Sequence, residues 1–309
     1  MGSFLTMDDF NFKNKTALVR VDFNSPLDSK TKKITDDTRI RMHAQTIKEL
    51  MEKGAKVVIM AHQGRLGDSD YSTLTQHTAM LSKIIGKPVQ YVDDLFGEKA
   101  RTSIKKLKSG EALVLENTRS FPGESEKKTA VEFAKTEFIK NLAPLADVYV
   151  GDGFAVAHRA QASVVGFPEV LQSVAGRVME RELKALQKVK NAEEKPCVYV
   201  MGGAKADDAA SISSYVLNQK TADYVLTGGL IGQLFAYAQG INLGEGNVKY
   251  LEKNQFLQYI PRIQELFKKF DGKILTPEDF GVEVEGKRKD VSLKDLPTQY
   301  MIFDIGPKT

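Results

Sequence analysis

Short apolar runs rich in β-branched residues alternate with stretches of helical period along this chain, and that alternation restricts the fold to α/β with parallel strands. TALVRVDFN (16–24), AKVVIMAH (55–62), ALVLENTR (112–119) and DVYVGDGF (147–154) are apolar on both faces. Strands of that kind belong to a parallel sheet covered by helices on either side. Between them the pattern predicts helices over about 36–53, 73–85, 98–107 and 129–143, with PVQYV as a further strand. The first helix is entered through Thr35, Asp36 and Asp37, any of which could cap it, and Gly54 ends it.

Around 166–190 the pattern changes. SVAGRVMERELKALQKVKN reads as one long amphipathic helix with no strand immediately before it, closed by the charged NAEEK. A second α/β unit follows, with CVYVM (197–201), DYVLTGG (223–229) and KILTPEDF (273–280) as strands. Its helices are expected after GGAK, up to about Gln239, and in one long piece over 253–270. The expected organisation is a domain over 1–166, a connecting helix within 167–190 and a second domain over 191–309. The chain ends in MIFDIGPKT, a strand running into a loop, so the second doubly wound domain is expected to be incomplete.

Arginines lie at or just beyond the carboxyl ends of the four apolar runs named first. Arg65, Arg119 and Arg159 follow three of them, and Arg39 opens the helix after the first. Ligands of open α/β sheets bind outside those ends. Guanidinium groups converging there suit a small, multiply charged anion, because each fork can hold a carboxylate or phosphate bidentately. Asp22 and Asn24, two apart in RVDFN, suit a hydroxyl-bearing ligand, or a turn in which both bond their own backbone. His62 and Gly64 in AHQGR fit an anion contact, or a structural histidine beside a tight turn.

In the second half, GGAK (202–205) follows a strand and opens a helix. Gly202, Gly203 and Lys205 thereby offer bare backbone N–H groups, a helix N-terminus and a point charge to a phosphate. TGGLIG repeats the device with Gly228 and Gly229, without the lysine. Gly281 to Arg288 almost matches a G-x-x-x-x-G-K-[ST] loop, but its last position is Arg and it carries two glutamates, so it is not a P-loop.

Composition excludes several classes. With 44 basic and 40 acidic residues the formal charge is +4, too mild for a nucleic-acid protein. Cys197 is the only cysteine, so neither an internal disulfide nor a thiolate cluster is available. His43, His62, His77 and His158 lack metal-ligand spacing, and no metal site is expected. No apolar run nears the roughly 18 residues of a membrane span, and MGSFLTMDDF lacks the features of a signal peptide. The expectation is a cytoplasmic protein without membrane or nucleic-acid partners.

RVDFN, ITDDTRI, AHQGR, LENTR, AHRAQAS with VVGFP, SVAGRVMERELKAL, GGAKADD, the glycines of TGGLIG and FDIGPKT together resemble phosphoglycerate kinase, in order and over essentially the whole chain. The wording leans towards the archaeal branch. The resemblance implies two Rossmann-like domains closing about a hinge. It also implies phosphoryl transfer between 1,3-bisphosphoglycerate and ADP, reversible with 3-phosphoglycerate and MgATP. Carried over, it assigns Asp22, Asn24, Arg39, His62, Arg65, Arg119 and Arg159 to 3-phosphoglycerate, with Arg39 nearest the transferred group. It assigns Gly202, Gly203, Lys205, Gly228 and Gly229 to the nucleotide.

Three departures stand out. Ala209 occupies the position where many family members carry a second lysine, one turn after Lys205, and Lys308 of GPKT is the expected compensating cation. Leu66, Gly151 and Gly153 replace more usual loop residues. The family's later segments, including the glutamate that reads the ribose and the Mg²⁺-associated aspartate, do not occur, so the 309 residues by themselves are expected to be inactive. A kinase of a related acid, or a non-catalytic anion-binding protein derived from the fold, are the alternative readings.

Overall fold

The computed structural model describes residues 4–191 and 194–309. The first three residues and two of the charged NAEEK stretch lie outside the described residues. The chain divides into two compact units between Ala185 and Leu186, within the stretch 167–190 expected to connect two domains.

The first unit is built on six strands: β1 (Thr16–Arg20), β2 (Lys56–Met60), β3 (Val89–Tyr91), β4 (Ala112–Val114), β5 (Val148–Gly151) and β6 (Ser173–Ala175). They pair in the order β3-β4-β2-β1-β5-β6, all parallel. Period-two alternation sends side chains to opposite faces. Ala17, Val19, Val57 and Ile59 enter one core with Ile40, Ile47 and Leu50 of α1 (Thr38–Glu52) and Leu81 of α2 (Thr75–Ile85). Leu18, Val58 and Met60 enter the other with Ile104 of α3 (Glu98–Lys106) and with Phe138 and Leu142. Both faces are covered, as the continuous apolar runs require.

Local chemistry redrew several boundaries. The expected helix over 129–143 is two short ones, α4 (Ala130–Ala134) and α5 (Glu137–Leu142). Thr129 and Glu132 form a capping box that starts α4, and the Thr136 hydroxyl donates to the Phe133 carbonyl at the break. α1 does begin after the acidic pair, but Asp37 makes no cap bond. Its carboxylate takes both Nε–H and Nη2–H of Arg41, while Asp36 Oδ1 accepts the Thr38 N–H at 2.7 Å. A strand does precede the long helix: β6 is too short to show a period, and it enters the sheet through β5 and through a bridge from Thr6 to Ala175. The helix that follows, α6, runs Arg177–Asn191.

In the second unit β7 (Val198–Met201), β8 (Tyr224–Thr227) and β9 (Ile274–Leu275) form a parallel sheet. Around it lie α7 (Ala206–Asn218), α8 (Gly229–Ala238), α9 (Glu245–Lys253) and α10 (Ile260–Lys269). The expected long helix over 253–270 is interrupted by Gln255 at φ +61 and a 3-10 turn over Phe256–Tyr259. Sequence reading did not anticipate a separate antiparallel sheet, β11-β10-β12, made of β10 (Asp279–Val284), β11 (Lys287–Ser292) and β12 (Ile302–Ile305). The near-match to a P-loop is the hairpin joining β10 to β11, with Glu285 and Gly286 both at positive φ in the two-residue turn.

One face of the β7-β8-β9 sheet is bare and apolar. Val198 and Val200 pair with Tyr224 and Leu226, Leu275 lies beside Leu226, and all five are exposed, Val200 to 73%. Parallel sheets are ordinarily covered on both faces, and a contiguous apolar patch of this kind takes up hydrophobic probes. Anilinonaphthalene sulfonate is therefore expected to fluoresce on the native protein, and Val200→Lys with Leu226→Lys to suppress the signal without lowering Tm. Absence of dye binding by the unsubstituted protein would show that the face is covered in solution.

Candidate anion and nucleotide sites

Because β4, β2, β1 and β5 are parallel neighbours, their carboxyl ends lie side by side and gather the segments that follow them. Arg39 stands in the first turn of α1 and donates through Nη1 to Asp22 Oδ2, a carboxylate that is almost fully buried. Asp22 Oδ1 accepts the Asn24 N–H at 3.0 Å, and Asn24 Oδ1 accepts the Gly64 N–H at 2.9 Å. Asp22 and Asn24 thus build their own loop, as the turn reading expects.

The Gly64 loop is braced from the other side. Arg119 Nη1 donates to the Gly64 carbonyl at 2.5 Å, and Asn117 Nδ2 donates to the carbonyls of Gln63 and Ser72. Gly64 has φ +63, and a Cβ there would lie 2.5 Å from the backbone of Asp70, so no other residue fits this turn. Beyond it a cavity of about 470 Å³ is lined by Arg65, Arg119 and Arg159 together with Glu124, Ser125 and Gln161. Three of the four expected arginines therefore meet around one cavity, and the fourth is held at Asp22.

The guanidinium groups lie near enough to act on their neighbours. His62 is buried, and burial together with the charges of Arg20, Arg119, Arg159 and Arg39 lowers its pKa to about 2. Burial also lowers the pKa of Arg119, reinforced by Arg159, Arg65 and Arg20. This is a region of crowded positive charge, which an anion would relieve. His62 is accordingly a neutral imidazole, 3.4 Å through Nδ1 from Arg20 Nη2.

Arg20 was missed in the sequence reading. It lies within β1, 1% exposed, donating through Nε to Ser163 Oγ at 2.8 Å and through Nη1 to the Val21 carbonyl. Ser163 passes the chain on: its Oγ donates to Glu124 Oε1 at 2.5 Å and its N–H to Oε2 at 2.9 Å. Burial raises the pKa of Glu124, against the pull of Arg20 and Ser163. The available signal was a lone arginine inside an otherwise apolar two-faced strand, which cannot be buried there without a partner. His158, in contrast, is exposed.

In the second unit the turns after β7 and β8 are adjacent because those strands pair in register. A Cβ on Gly229 would lie 3.5 Å from the Gly203 amide, so the two glycine turns nearly touch. Lys205 is the N-cap residue of α7, its side chain 86% exposed and 3.8 Å from Asp208. Gly228 is the N-cap of α8. Two helix N-termini therefore carry Gly202, Gly203, Lys205, Gly228 and Gly229 side by side. Position 209 does follow Lys205 by one turn, its N–H donating to the Lys205 carbonyl at 3.0 Å, but the two side chains part. Lys205 has non-helical φ and ψ at the cap, whereas Ala209 is 2% exposed in the apolar core of the unit. The GPKT loop is held by Asp279, which accepts the Lys308 and Thr309 amides at 2.9 Å, and the Lys308 amine pairs with Glu278 at 2.9 Å.

An arginine-lined cavity at the carboxyl edge of one α/β unit, and paired glycine turns at helix N-termini on another, define a protein that handles charged, phosphate-bearing molecules. Such proteins work by positioning and charge neutralisation. The sequence matches the phosphoglycerate kinase family over residues 7–309, and the chain belongs to that family. It is 46% identical over 306 residues to the phosphoglycerate kinase of Methanobacterium bryantii, covering 99% of this chain and 75% of that protein. It is 43% identical over 305 residues to that of Pyrococcus furiosus, covering 97% and 74%. The crystal structure of phosphoglycerate kinase from Pyrococcus horikoshii OT3 superposes with a TM-score of 0.91 at 41% identity, covering 98% of this chain and 76% of that one. The chain thus spans about three quarters of the length of these relatives.

Proposed function

We propose that this chain serves phosphoryl transfer between 1,3-bisphosphoglycerate and ADP, reversible with 3-phosphoglycerate and ATP, as a cytoplasmic enzyme of glycolysis and gluconeogenesis. The observation that carries it is the meeting of Arg65, Arg119 and Arg159 around one cavity beside the Arg39–Asp22 pair, in a member of this family. Family membership does not favour the non-catalytic alternative.

Asp22, Asn24, Arg39, His62, Arg65, Arg119 and Arg159 are proposed to hold the phosphoglycerate. Gly202, Gly203, Lys205, Gly228 and Gly229 are proposed to hold the nucleotide phosphates. In the forward direction the bond from phosphorus to the acyl oxygen breaks and a bond to a terminal oxygen of ADP forms. The leaving group is a carboxylate and the nucleophile a phosphate oxygen, both anionic, so no proton need move. That matches a site whose histidine is neutral and whose charged side chains are mostly guanidinium. Arg39 is proposed to neutralise charge on the phosphoryl group carried by the phosphoglycerate, and Lys205 charge on the nucleotide phosphates.

Among the described residues no three His, Cys, Asp or Glu side chains cluster as a metal site. Mg²⁺ would arrive bound to the nucleotide phosphates. No described helix is long and apolar enough to cross a membrane.

Calorimetric titration with 3-phosphoglycerate and with MgADP tests the reading, with hydroxylamine trapping of any acyl phosphate formed from 3-phosphoglycerate and ATP. Saturable binding of both ligands is expected, and binding of neither would overturn it. In a protein that also carries the remaining quarter of its relatives' length, Lys205→Ala is expected to lower the maximal rate roughly tenfold or more. Lys308→Ala should lower it less, since Glu278 already neutralises that amine. Equal effects would place Lys308 on the transferred group.

A further inference from the structure

We infer that His43 is a positioning residue for the anion site, coupling the Asp22 loop to the first turn of α6 through Asp152. The inference rests on the functional reading above for its ligand but on separate residues for its geometry. His43 and Asp152 are both buried. The Asp22 N–H donates to His43 Nε2 at 3.2 Å, and His43 Nδ1 lies 2.7 Å from Asp152 Oδ2. The other oxygen, Asp152 Oδ1, accepts the Val178 N–H at 2.9 Å at the start of α6.

The direction of these bonds sets the state of the ring. An amide N–H can only donate, so Nε2 must carry a lone pair, and Nδ1 must carry the proton given to Asp152. His43 is therefore a neutral imidazole in the Nδ1–H form, selected by Asp152. Close approach is also built in: a Cβ on Gly176 would fall 2.2 Å from Asp152 Oδ1.

The link is one stripe of α1. Arg39, His43, Thr46 and Glu49, spaced by four, three and three, share a helix face. Arg39 takes the Asp22 carboxylate and His43 the Asp22 amide. Thr46 Oγ1 accepts the Arg177 N–H at 3.1 Å, and Glu49 pairs with the Arg177 guanidinium at 2.5 Å. One rigid face thus fixes both ends of the loop's support, so the placement of Asp22 and Arg39 depends on a buried histidine that does not line the cavity.

Asp152→Asn separates this role from simple stability. The side-chain oxygen can still accept the Val178 N–H and keep the α6 cap. The new amide then faces His43 as a donor, which forces the proton to Nε2 and sets donor against donor at the Asp22 amide. Nitrogen-15 spectra of the histidine ring should show the Nδ1–H form in the unsubstituted protein and the Nε2–H form in D152N. The Asp22 amide should exchange faster with solvent in D152N. 3-Phosphoglycerate should bind about tenfold more weakly, with MgADP affinity unchanged. His43→Leu, an apolar replacement beside Phe23, should weaken binding likewise and carries the test if D152N fails to fold. An Nε2–H ring in the unsubstituted protein, or unaltered 3-phosphoglycerate affinity in both variants, would overturn the inference. Arg159→Ala is the control for the ligand assignment. If the unsubstituted protein does not bind 3-phosphoglycerate, the functional reading fails, and the tautomer and Asp22 exchange alone decide the role of His43.

Discussion

Arg39→Ala is expected to weaken 3-phosphoglycerate binding by about tenfold or more, and Arg159→Ala by a similar factor, measured by calorimetry. Charge-assisted hydrogen bonds are worth about 1.5–3 kcal/mol each, and about 1.4 kcal/mol is a factor of ten. For Arg39 a second effect adds to the first. Its guanidinium neutralises the Asp22 carboxylate, 3% exposed at the edge of the site. Removing it leaves a buried negative charge facing an incoming anion. Arg39→Lys should restore part of the loss, since an ammonium neutralises Asp22 without the bidentate fork. Arg159 lacks that pairing and acts through the crowded cavity it shares with Arg65 and Arg119. Unchanged affinity in both alanine variants would mean that the arginines do not form the site.

Acid should destabilise the first unit well before its carboxylates titrate. His62 falls from 6.5 to about 2 on folding, and His77 to about 4, both chiefly through burial. A base held neutral in the folded state binds fewer protons there than in the unfolded chain. The stability it contributes is complete above pH 6.5 and drains away as pH falls from 6.5 towards the folded value. Each histidine can contribute a slope of up to about 1.4 kcal/mol per pH unit. Between pH 6.5 and 5 ordinary carboxylates remain ionised in both states, so that window isolates the histidines. Glu124 opposes the trend, because burial raises its pKa and the folded state then holds its proton more readily. Urea midpoints should fall steadily from pH 7 to 5 and flatten in His62→Gln and His77→Gln, measured in a Glu124→Gln background. A midpoint independent of pH over that range would show that both rings take up protons without unfolding.

The α/β alternation and the arginines at the strand ends were legible because both are local. A strand declares its two apolar faces in five residues, and the residue after it must lie at the sheet's carboxyl edge. Helix breaks at Thr136 and Gln255 were less visible, since each turns on one side-chain bond or one backbone angle within a periodic stretch. The hairpin at Glu285 and Gly286 was correctly refused as a P-loop, yet its antiparallel sheet needed β12, some fifteen residues further on, to be seen.

What the sequence alone determined is the class of fold, the four arginines, the glycine turns and the family to which they point. Tertiary structure decided which of these residues meet. Strand order sets Arg20 over Glu124 through Ser163, 143 positions from its hydrogen-bond partner. It also brings His43 to Asp152, 109 positions away. No periodicity encodes such contacts. They arise where buried polar groups must find partners across the sheet, and the partner is whatever the order β3-β4-β2-β1-β5-β6 places opposite them.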